Sequence, residues 1–594
     1  MSHAAKSSPQ PVTVGLRISL GFLDWAVLMA IVLLMGFTTG FGVPRRGFEL
    51  MPWPDGLEYA ASAVNLAKGR GAVLHFGGYT YPSRYTGGYP LILEFFYRIF
   101  GREVPLLSVF AWILGMLSVI YIYFLARGLF ARELFVRATA AIAALLLTLS
   151  PIFITYSTLV MSDVPTLCVT ILAGLMLAIA AADDAPQSNW RRISAWLLFG
   201  LFAGFSTIIR PTNATILVGL TLCVVMVPLE HRDRSSLLKA AIAIAIGFAI
   251  PVAWQLHQNA MHLGSAFASG YAWWVPEVYG AAGKTFSAAY LFGPTMPRNP
   301  HGNVPIYALT LLGLDGILGR GNTRYFLYPF AAAVFAIVGF LTILRTPEKT
   351  AGRRLMWFGL GYLAALTGLY CFYLFTDPVF ILPAAFVLFI AAGYGAATAN
   401  RWMRDVFRNR NRSAGEFMTA AGVILLDAML IISLGSEVAV RLNARPAESV
   451  MVPTLQSADS TLPQNAIVVS NISLQFLELY LPAENRRFIG LNSLDPGETF
   501  TDYHLHRLYE KRAAGWNGPI PPVVFDGPAM SAEADALASA KTPVFLLIAT
   551  PESQSYADIL KTEFDQLQNI FSLEPVAQNR VAQLYRLTTK ANKG

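Results

Sequence analysis

The sequence predicts a polytopic α-helical membrane protein with about eleven transmembrane helices and a C-terminal α/β domain outside the cytoplasm. Three observations predict this class: the composition is apolar, runs long enough to span a bilayer recur, and strand-like patterns follow only the last run. Of the 594 residues, 55% are hydrophobic and 13% are charged, and the mean hydropathy is +0.50. Since a soluble domain carries about 25% charged residues, the composition excludes a soluble globular protein.

Apolar runs recur up to Leu434 at lengths close to the roughly 20 residues that a helix needs to cross a bilayer. The eleven predicted spans are Trp25–Phe41, Val104–Leu125, Ala138–Thr155, Val164–Ala182, Ile193–Ile209, Thr212–Leu229, Ala240–Leu256, Tyr325–Leu344, Leu355–Phe375, Val379–Ala397 and Phe417–Leu434. No small-residue cleavage site follows the first of them, which predicts a retained signal-anchor.

Basic residues concentrate in the loops after the second, fourth, sixth, eighth and tenth spans. They are Arg127, Arg132 and Arg137; Arg191 and Arg192; Arg232, Arg234 and Lys239; Arg345, Lys349, Arg353 and Arg354; and Arg401, Arg404, Arg408, Arg410 and Arg412. By the positive-inside rule these loops are cytoplasmic, so the N-terminus lies inside and everything after the last span lies outside. The net charge of +8 therefore reports topology and predicts no nucleic-acid partner.

This topology divides the chain near residue 440. Residues 1–440 form the membrane domain, with long outer loops at 42–103 and 257–324, and residues 441–594 form a periplasmic domain. There, strand-like runs alternate with helix-like runs: Ala466–Val469, Leu474–Leu481, Arg487–Ile489, Ala532–Lys541, Val544–Ile548 and Ser555–Phe564, then a terminal pair around Phe571 and Tyr585. The alternation predicts a mostly parallel sheet. No glycine-rich loop follows its first strand, so we predict no nucleotide site.

The acids directly after the first span are the most informative polar residues of the membrane domain. Asp55 and Glu58 are three residues apart, so a helix would carry both on one face. Carboxylates beside a bilayer are costly to keep dry, and they usually mark an ion path or a chemical site. The plainer alternative is a solvated loop with ordinary surface acids.

Three further charged residues are predicted at the same outer face. Asp163 begins the fourth span, Arg210 follows the fifth span, and Arg84 lies in the first outer loop. An arginine at the end of a span can simply extend its charge to water. Beside two acids it can instead hold a lipid-linked phosphate, to which its forked donors are suited.

These residues resemble the motifs of the GT-C membrane glycosyltransferases, closest to the family 39 group of protein O-mannosyltransferases and lipid A aminoarabinose transferases. The matching residues are Asp55…Tyr59, Gly88-Tyr89-Pro90 and Asp163-Val164-Pro165, over roughly residues 20 to 400. The sequence departs from the family in three places. Gly56 stands where a glutamate is frequent, no lysine precedes the proline of the first outer loop, and Val379 stands where many members carry an arginine.

The resemblance implies a GT-C-like enzyme that moves a sugar from a polyprenyl-phosphate donor to a hydroxyl of a lipid, glycan or protein acceptor. Asp55 would be the general base, Asp163 would orient the acceptor or steady the loop of Asp55, and Glu58 would replace the missing glutamate. Arg210 and Arg84 would bind the donor phosphate. No cofactor is expected, and a divalent metal is not favoured because the acids are few and no histidine pair has ligand spacing.

Three other classes remain as alternatives. A multi-pass transporter of a lipid-linked or polar substrate is the main one, although no internal repeat of the kind found in transporters is visible. An O-antigen ligase or polymerase-like enzyme would differ in using a diphosphate-linked oligosaccharide. A receptor or structural anchor would not require acids at helix ends.

Overall fold

The computed structural model of the chain describes residues 21–40, 50, 55–76, 79–101, 103–131, 133, 135–181, 189–227, 234–274, 276–296, 299–315, 326–346, 350–408, 413–443, 451–472, 474–481, 486–491, 524–525, 542–549, 554–578 and 582–590. The helices before the C-terminal domain are α1 (Phe22–Met35), α2 (Asp55–Ala67), α3 (Gly88–Ile99), α4 (Leu107–Leu129), α5 (Val136–Thr148), α6 (Pro151–Tyr156), α7 (Asp163–Ala180), α8 (Asn189–Ile209), α9 (Ile216–Met226), α10 (Arg234–Leu263), α11 (Gly270–Trp274), α12 (Pro276–Tyr279), α13 (Ala282–Thr285), α14 (Asn303–Leu312), α15 (Phe330–Arg345), α16 (Thr350–Cys371), α17 (Leu382–Arg408) and α18 (Ala414–Asn443). A hairpin of β1 (Val73–Phe76) and β2 (Tyr79–Pro82) joins α2 to α3, and short 3-10 helices at Pro211–Thr215 and Pro378–Ile381 precede α9 and α17.

The predicted helical membrane class is confirmed. Seven stretches of the described chain are long and apolar enough to cross a membrane: Phe22–Thr39, Val104–Leu129, Asp163–Ala180, Trp190–Ile209, Arg234–Leu263, Pro378–Arg408 and Ala414–Val440. Four apolar stretches are shorter: Val136–Thr148, Pro211–Met226, Asn303–Leu312 and Phe330–Arg345. Ten of the eleven predicted spans overlap one of these stretches, and Leu355–Phe375 overlaps α16. The number of spans remains a prediction.

The second long outer loop has more structure than the sequence predicted. The helices α11 to α14 lie within residues 257–324, and α14 is an apolar helix of 10 residues. Its length is about 15 Å at the rise of an α-helix, which is half of a bilayer core. The helix begins at Asn303, whose buried side-chain amide donates to the backbone oxygens of Cys371 (3.2 Å) and Tyr373 (2.6 Å). This loop is therefore fastened to the end of α16.

Small residues let the helices of the bundle pack closely. A methyl group at Gly339 of α15 would overlap the backbone oxygen of Ala391 in α17, and one at Gly395 of α17 would overlap that of Phe335 in α15. Close backbone approach between membrane helices depends on such positions, because helix association in lipid relies on van der Waals packing. The helix α17 is consequently buried over most of its membrane part.

One end of the bundle collects the basic residues that predicted the cytoplasmic side. There, the buried Asp24 of α1 accepts hydrogen bonds from Tyr123 (3.1 Å) and Arg127 (3.0 Å) of α4, and it pairs with Arg137 (3.3 Å) of α5. A buried carboxylate surrounded by three donors ties the first helix to two others. Five basic residues of the predicted cytoplasmic loops lie outside the described residues: Arg132, Arg232, Lys349, Arg410 and Arg412.

The C-terminal domain contains a six-stranded sheet in the order β5-β4-β3-β6-β8-β7. Its elements are α19 (Met451–Thr461), β3 (Ile467–Ser470), α20 (Leu474–Tyr480), β4 (Arg487–Leu491), β5 (Val524–Phe525), β6 (Val544–Ala549), α21 (Gln554–Ile570), β7 (Phe571–Gln578) and β8 (Ala582–Thr589). The strands β3 to β6 pair in parallel, and the β7–β8 hairpin adds an antiparallel edge. The predicted α/β domain is thus confirmed, while the predicted helix Ala532–Lys541 lies outside the described residues.

The C-terminal domain packs against the helix that begins with Asp55. Leu57 and Val64 of α2 share one apolar cluster with Leu474 and Leu477 of α20. All four side chains are buried, so their separation would expose apolar surface at about 25 cal/mol per Å². This contact holds α2 between the membrane helices and the C-terminal domain.

Candidate active site

The candidate site lies at the end of the bundle opposite the basic residues. The helix α7 begins there with Asp163, α8 ends there before Arg210, and α16 ends there before the segment that leads to Asp377. The helix α2, which begins with Asp55, packs across this end through α3. Residues far apart in sequence therefore meet because alternate helices of the bundle reverse direction.

Asp55, Glu58 and Arg84 form the first charged cluster. The Glu58 carboxylate accepts hydrogen bonds from the Ser83 hydroxyl (3.1 Å), the Arg84 backbone N–H (2.6 Å) and the Arg84 Nε (2.6 Å). The same guanidinium reaches Asp55 through Nη2, at 3.4 Å from Oδ1. Because Asp55 and Glu58 share one face of α2, a single arginine bridges both acids.

The exposure of these side chains separates their roles. Glu58 is 0% exposed and Arg84 is 5% exposed, whereas the Asp55 side chain keeps 28% of its surface open. Burial alone would lower the pKa of the Arg84 guanidinium, but the surrounding groups together, Glu58 first and Asp55 among the others, hold that pKa above its usual range. Arg84 is therefore a permanent cation, and Asp55 is the member of the cluster that a ligand can reach.

The loop that carries Arg84 is held from four directions. Trp274 of α11 donates to the backbone oxygen of Pro82 (2.6 Å), and Thr86 donates to that of Ile209 at the end of α8 (3.0 Å). On the next residue, the Gly87 N–H donates to Gln255 of α10 (2.7 Å). Together with the bonds to Glu58, these contacts fix the position of the Arg84 backbone.

Asp163 and Arg210 form the second charged cluster. Asp163 is 1% exposed and pairs directly with the Arg210 guanidinium, which keeps 18% of its side-chain surface. The guanidinium carbon also lies 4.8 Å from the centre of the Phe380 ring, in the range of a cation–π contact. Burial alone would lower the pKa of Arg210, but Asp163 together with the surrounding tyrosines raises that pKa above its usual range. Arg210 is thus a charged group that is paired with Asp163 and keeps an open surface.

Tyr59 lies between the two charged clusters. Its ring stacks on Tyr85 at a centroid distance of 4.4 Å, and burial raises its pKa. The charges of Asp55, Arg210 and Asp163 all act on its hydroxyl, so both clusters are close to the same side chain. Asp55 and Arg210 consequently face a common region of the protein.

Further tyrosines border this region. The ring of Tyr85 meets Tyr271 at 5.5 Å, and Tyr271 meets Tyr279 at 4.9 Å. These three rings and Tyr373 are each partly exposed, yet burial raises the pKa of every one of them. As neutral, partly exposed groups, these tyrosines can offer ring faces and hydroxyls to a polar ligand.

Asp377 lies at the same end of the bundle and was not among the predicted site residues. Its Oδ1 accepts from the Val379 N–H (3.0 Å) and caps the 3-10 helix that leads into α17, while its Oδ2 accepts from the Tyr156 hydroxyl (3.1 Å). The Asp-Pro pair at this helix start is a usual N-cap signal and could have identified it. Val379, which the sequence comparison singled out, is buried, and the neighbouring Phe380 contacts Arg210 instead.

The five predicted site residues thus fall into two neighbouring sets: Asp55, Glu58 and Arg84 in one, and Asp163 and Arg210 in the other. Among the described residues, no group of three histidine, cysteine or acidic side chains has the arrangement of a metal site. The expectations that no metal and no cofactor take part remain predictions.

Comparison with known proteins gives the fold its context. Residues 88–254 match the sequence model of a family described as dolichyl-phosphate-mannose-protein mannosyltransferase. The structure of ArnT from Cupriavidus metallidurans bound to undecaprenyl phosphate is similar over 95% of this chain and 98% of that one, with a TM-score of 0.56 at 14% identity. This chain has the fold of the GT-C membrane glycosyltransferases. The predicted GT-C resemblance is thereby confirmed.

Two further solved structures are similar to this chain. Apo ArnT from the same organism covers 95% of this chain and 98% of its own, with a TM-score of 0.55 at 13% identity. The archaeal oligosaccharyltransferase AglB from Archaeoglobus fulgidus, in complex with an inhibitory peptide and a dolichol-phosphate, covers 96% of this chain and 75% of its own, with a TM-score of 0.49 at 11% identity. No curated protein sequence matches this chain.

Proposed function

We propose that this protein is a glycosyltransferase that moves a sugar from a polyprenyl-phosphate donor to an acceptor hydroxyl at the outer face of the cytoplasmic membrane. The observation that carries the proposal is the unequal exposure of the three acids beside the two arginines. Glu58 and Asp163 are buried and paired with arginines, whereas Asp55 keeps 28% of its side-chain surface open at the same end of the bundle as the partly open Arg210. The GT-C fold and the family match over residues 88–254 support the same chemistry.

Asp55 is the general base in this proposal. Its carboxylate takes the proton of the acceptor hydroxyl as that oxygen forms a bond to the anomeric carbon of the sugar. The bond from this carbon to the phosphate oxygen breaks, and its electron pair leaves with the polyprenyl phosphate. General-base catalysis by a positioned carboxylate contributes about 10²–10⁴-fold.

Arg210 is the principal ligand of the donor phosphate. The departing phosphate gains negative charge, which a preorganised guanidinium stabilises most strongly where water is excluded. Arg210 keeps 18% exposure against 5% for Arg84, so a phosphate can reach it without breaking a fully buried ion pair. Asp163 orients the Arg210 side chain from its buried position and leaves the open surface for the donor.

The surroundings suit a lipid-linked donor. The site lies where membrane helices end, so the polyprenyl chain stays in the bilayer while its head group reaches the outer segments. The neutral tyrosines between Asp55 and Arg210 supply ring faces and hydroxyls for a sugar. The acceptor is a lipid, a glycan or a protein, and the C-terminal domain packed on α2 borders the side from which it arrives.

The decisive experiment supplies the purified protein in liposomes with a panel of polyprenyl-phosphate sugars and follows loss of the donor by mass spectrometry. We expect the wild type to consume one donor, and Asp55→Asn to be slower by about 10²-fold or more while it still binds donor. Asp405→Asn is the matched control, because Asp405 is exposed near the opposite end of α17. Near wild-type turnover by Asp55→Asn would contradict the assignment of the base. Sugar flux across the liposome without loss of donor would favour a transporter.

A further inference from the structure

The role of Arg84 follows from the pairing geometry of the first charged cluster. A phosphate ligand needs donors that point into open space, but the Nε of Arg84 is committed to Glu58 at 2.6 Å. The side chain is 5% exposed and its backbone N–H is bound to the same carboxylate. Binding a phosphate would require Arg84 to leave a buried partner, which would leave the Glu58 carboxylate buried without its counter-charge and is strongly unfavourable.

The two acids hold Arg84 unequally. Glu58 makes contacts of 2.6 Å to both the backbone and the side chain, whereas Asp55 lies 3.4 Å from a single terminal nitrogen. A hydrogen bond of 3.4 Å is long, and it restricts the Asp55 carboxylate without using up its capacity to accept a proton. One oxygen of Asp55 is oriented by this contact, and the partly exposed remainder of the carboxylate is available to an acceptor.

We infer that Arg84 is a positioning residue that orients the general base Asp55, and that Glu58 keeps it from pairing with Asp55 too strongly. The inference rests on the proposed function, since it concerns the base of that reaction. Glu58 fixes the Arg84 guanidinium through its Nε, and the guanidinium then donates to Asp55 from one terminal nitrogen. In a reaction that depends on alignment, a shift of about 1 Å at the base costs roughly 10²-fold.

The same geometry predicts how each substitution acts. Arg84→Gln removes the group that orients Asp55, so kcat falls by about tenfold to a hundredfold. Arg84→Lys keeps the positive charge, but its single ammonium group contacts either Glu58 or Asp55 and not both, so the variant recovers only part of kcat. Glu58→Gln releases the guanidinium toward Asp55, which then becomes a paired carboxylate, and kcat falls again. In all three variants the donor KM stays within about threefold, because the donor phosphate lies on Arg210.

The test measures kcat and the donor KM of these variants with the donor that the wild type consumes. The double variant Arg84→Gln with Glu58→Gln leaves no unpaired buried charge, so it folds even where Arg84→Gln alone does not. We expect its kcat to equal that of Arg84→Gln within about twofold, because Glu58 acts only through Arg84. Arg70→Gln is the control, since Arg70 is an exposed arginine at the end of the same outer helix.

Two results would overturn the inference. A donor KM raised tenfold or more in Arg84→Gln, with kcat nearly unchanged, would make Arg84 a phosphate ligand. Wild-type values of both constants in the double variant would show that the pair has no part in the reaction. A wild-type protein that consumes no donor would instead contradict the proposed function. Donor consumption by the wild type is therefore measured before any variant is compared.

Discussion

The pairing of Asp163 with Arg210 makes a quantitative prediction about Asp163→Asn. The substitution keeps the size of the side chain but removes the one carboxylate that is paired with Arg210 in the described chain. Breaking a buried ion pair costs about 3–5 kcal/mol of folding free energy. We expect the lower end, about 3 kcal/mol, because Arg210 is 18% exposed and keeps its contact with the Phe380 ring.

The donor phosphate should offset much of this loss. In Asp163→Asn the phosphate becomes the counter-charge of Arg210, so polyprenyl phosphate should bind more tightly than it does to the wild type. A ligand that binds only the folded protein adds about 2.7 kcal/mol of stability at a concentration of 100 times its dissociation constant. The transfer rate should nevertheless fall, because Asp163 no longer orients the guanidinium toward the reacting phosphate.

Thermal unfolding in detergent, with and without added polyprenyl phosphate, measures both effects. The apo variant should unfold well below the wild type, and the lipid should raise its unfolding temperature by more than it raises that of the wild type. The double variant Asp163→Asn with Arg210→Gln is the control, since removal of both charges is close to neutral for stability and leaves no group for the phosphate.

Polyprenyl phosphate that stabilises the wild type but gives Asp163→Asn no additional gain would contradict this prediction. That outcome would separate Arg210 from the donor and leave the ion pair as a structural contact. Equal stabilisation of the double variant would lead to the same conclusion, because the lipid would then act elsewhere on the protein.

Three further predictions follow from the same structure. Arg210→Ala should weaken donor binding by about tenfold or more while expression stays normal, and Arg210→Lys should recover part of it because lysine lacks the fork. Gly270→Ala should lower the unfolding temperature and transfer, because the methyl group would overlap the backbone of the loop before α3, whereas Gly368→Ala meets nothing within 4 Å and should be tolerated. A reporter that is active only outside the cytoplasm should be active when fused after Gly594 and silent when fused near Arg404; a silent C-terminal fusion would reverse the predicted orientation.

The first prediction depends on residues whose type and position the sequence already indicated. Asp55, Asp163 and Arg210 follow or precede apolar runs, and the positive-inside rule assigns them to one face. The apolar runs could be identified from the sequence because each membrane span must by itself be long and apolar enough to cross the bilayer. The strand-like segments after residue 460 were readable for a similar reason, since short buried runs such as Val544–Ile548 are local patterns.

The sequence could not predict in this way which side chains of the site contact one another. The sequence made Arg84 a candidate phosphate ligand, but it did not indicate that the guanidinium pairs with Glu58 and Asp55, as it does in the structure. The sequence also showed that Val379 stands where many members of the resembled family carry an arginine, but it did not indicate that the neighbouring Phe380 contacts Arg210. Asp377 was not singled out as a site residue at all, because its role depends on Tyr156, which lies 221 residues away in the chain.

The sequence by itself thus determined which segments are apolar enough to be candidate membrane spans, which polar residues lie at their ends, and where the C-terminal strands begin. Each of these features depends only on the side chains of a short segment and on whether lipid or water surrounds that segment. Only the tertiary structure decided that Asp163 pairs with Arg210, 47 residues away in the chain, and that Glu58 pairs with the buried Arg84. Asp55 is therefore the acid that remains partly exposed. The physical reason is that the energy of a buried charge depends on its partner, and in a helical bundle partners come from helices that are neighbours in space and not in sequence.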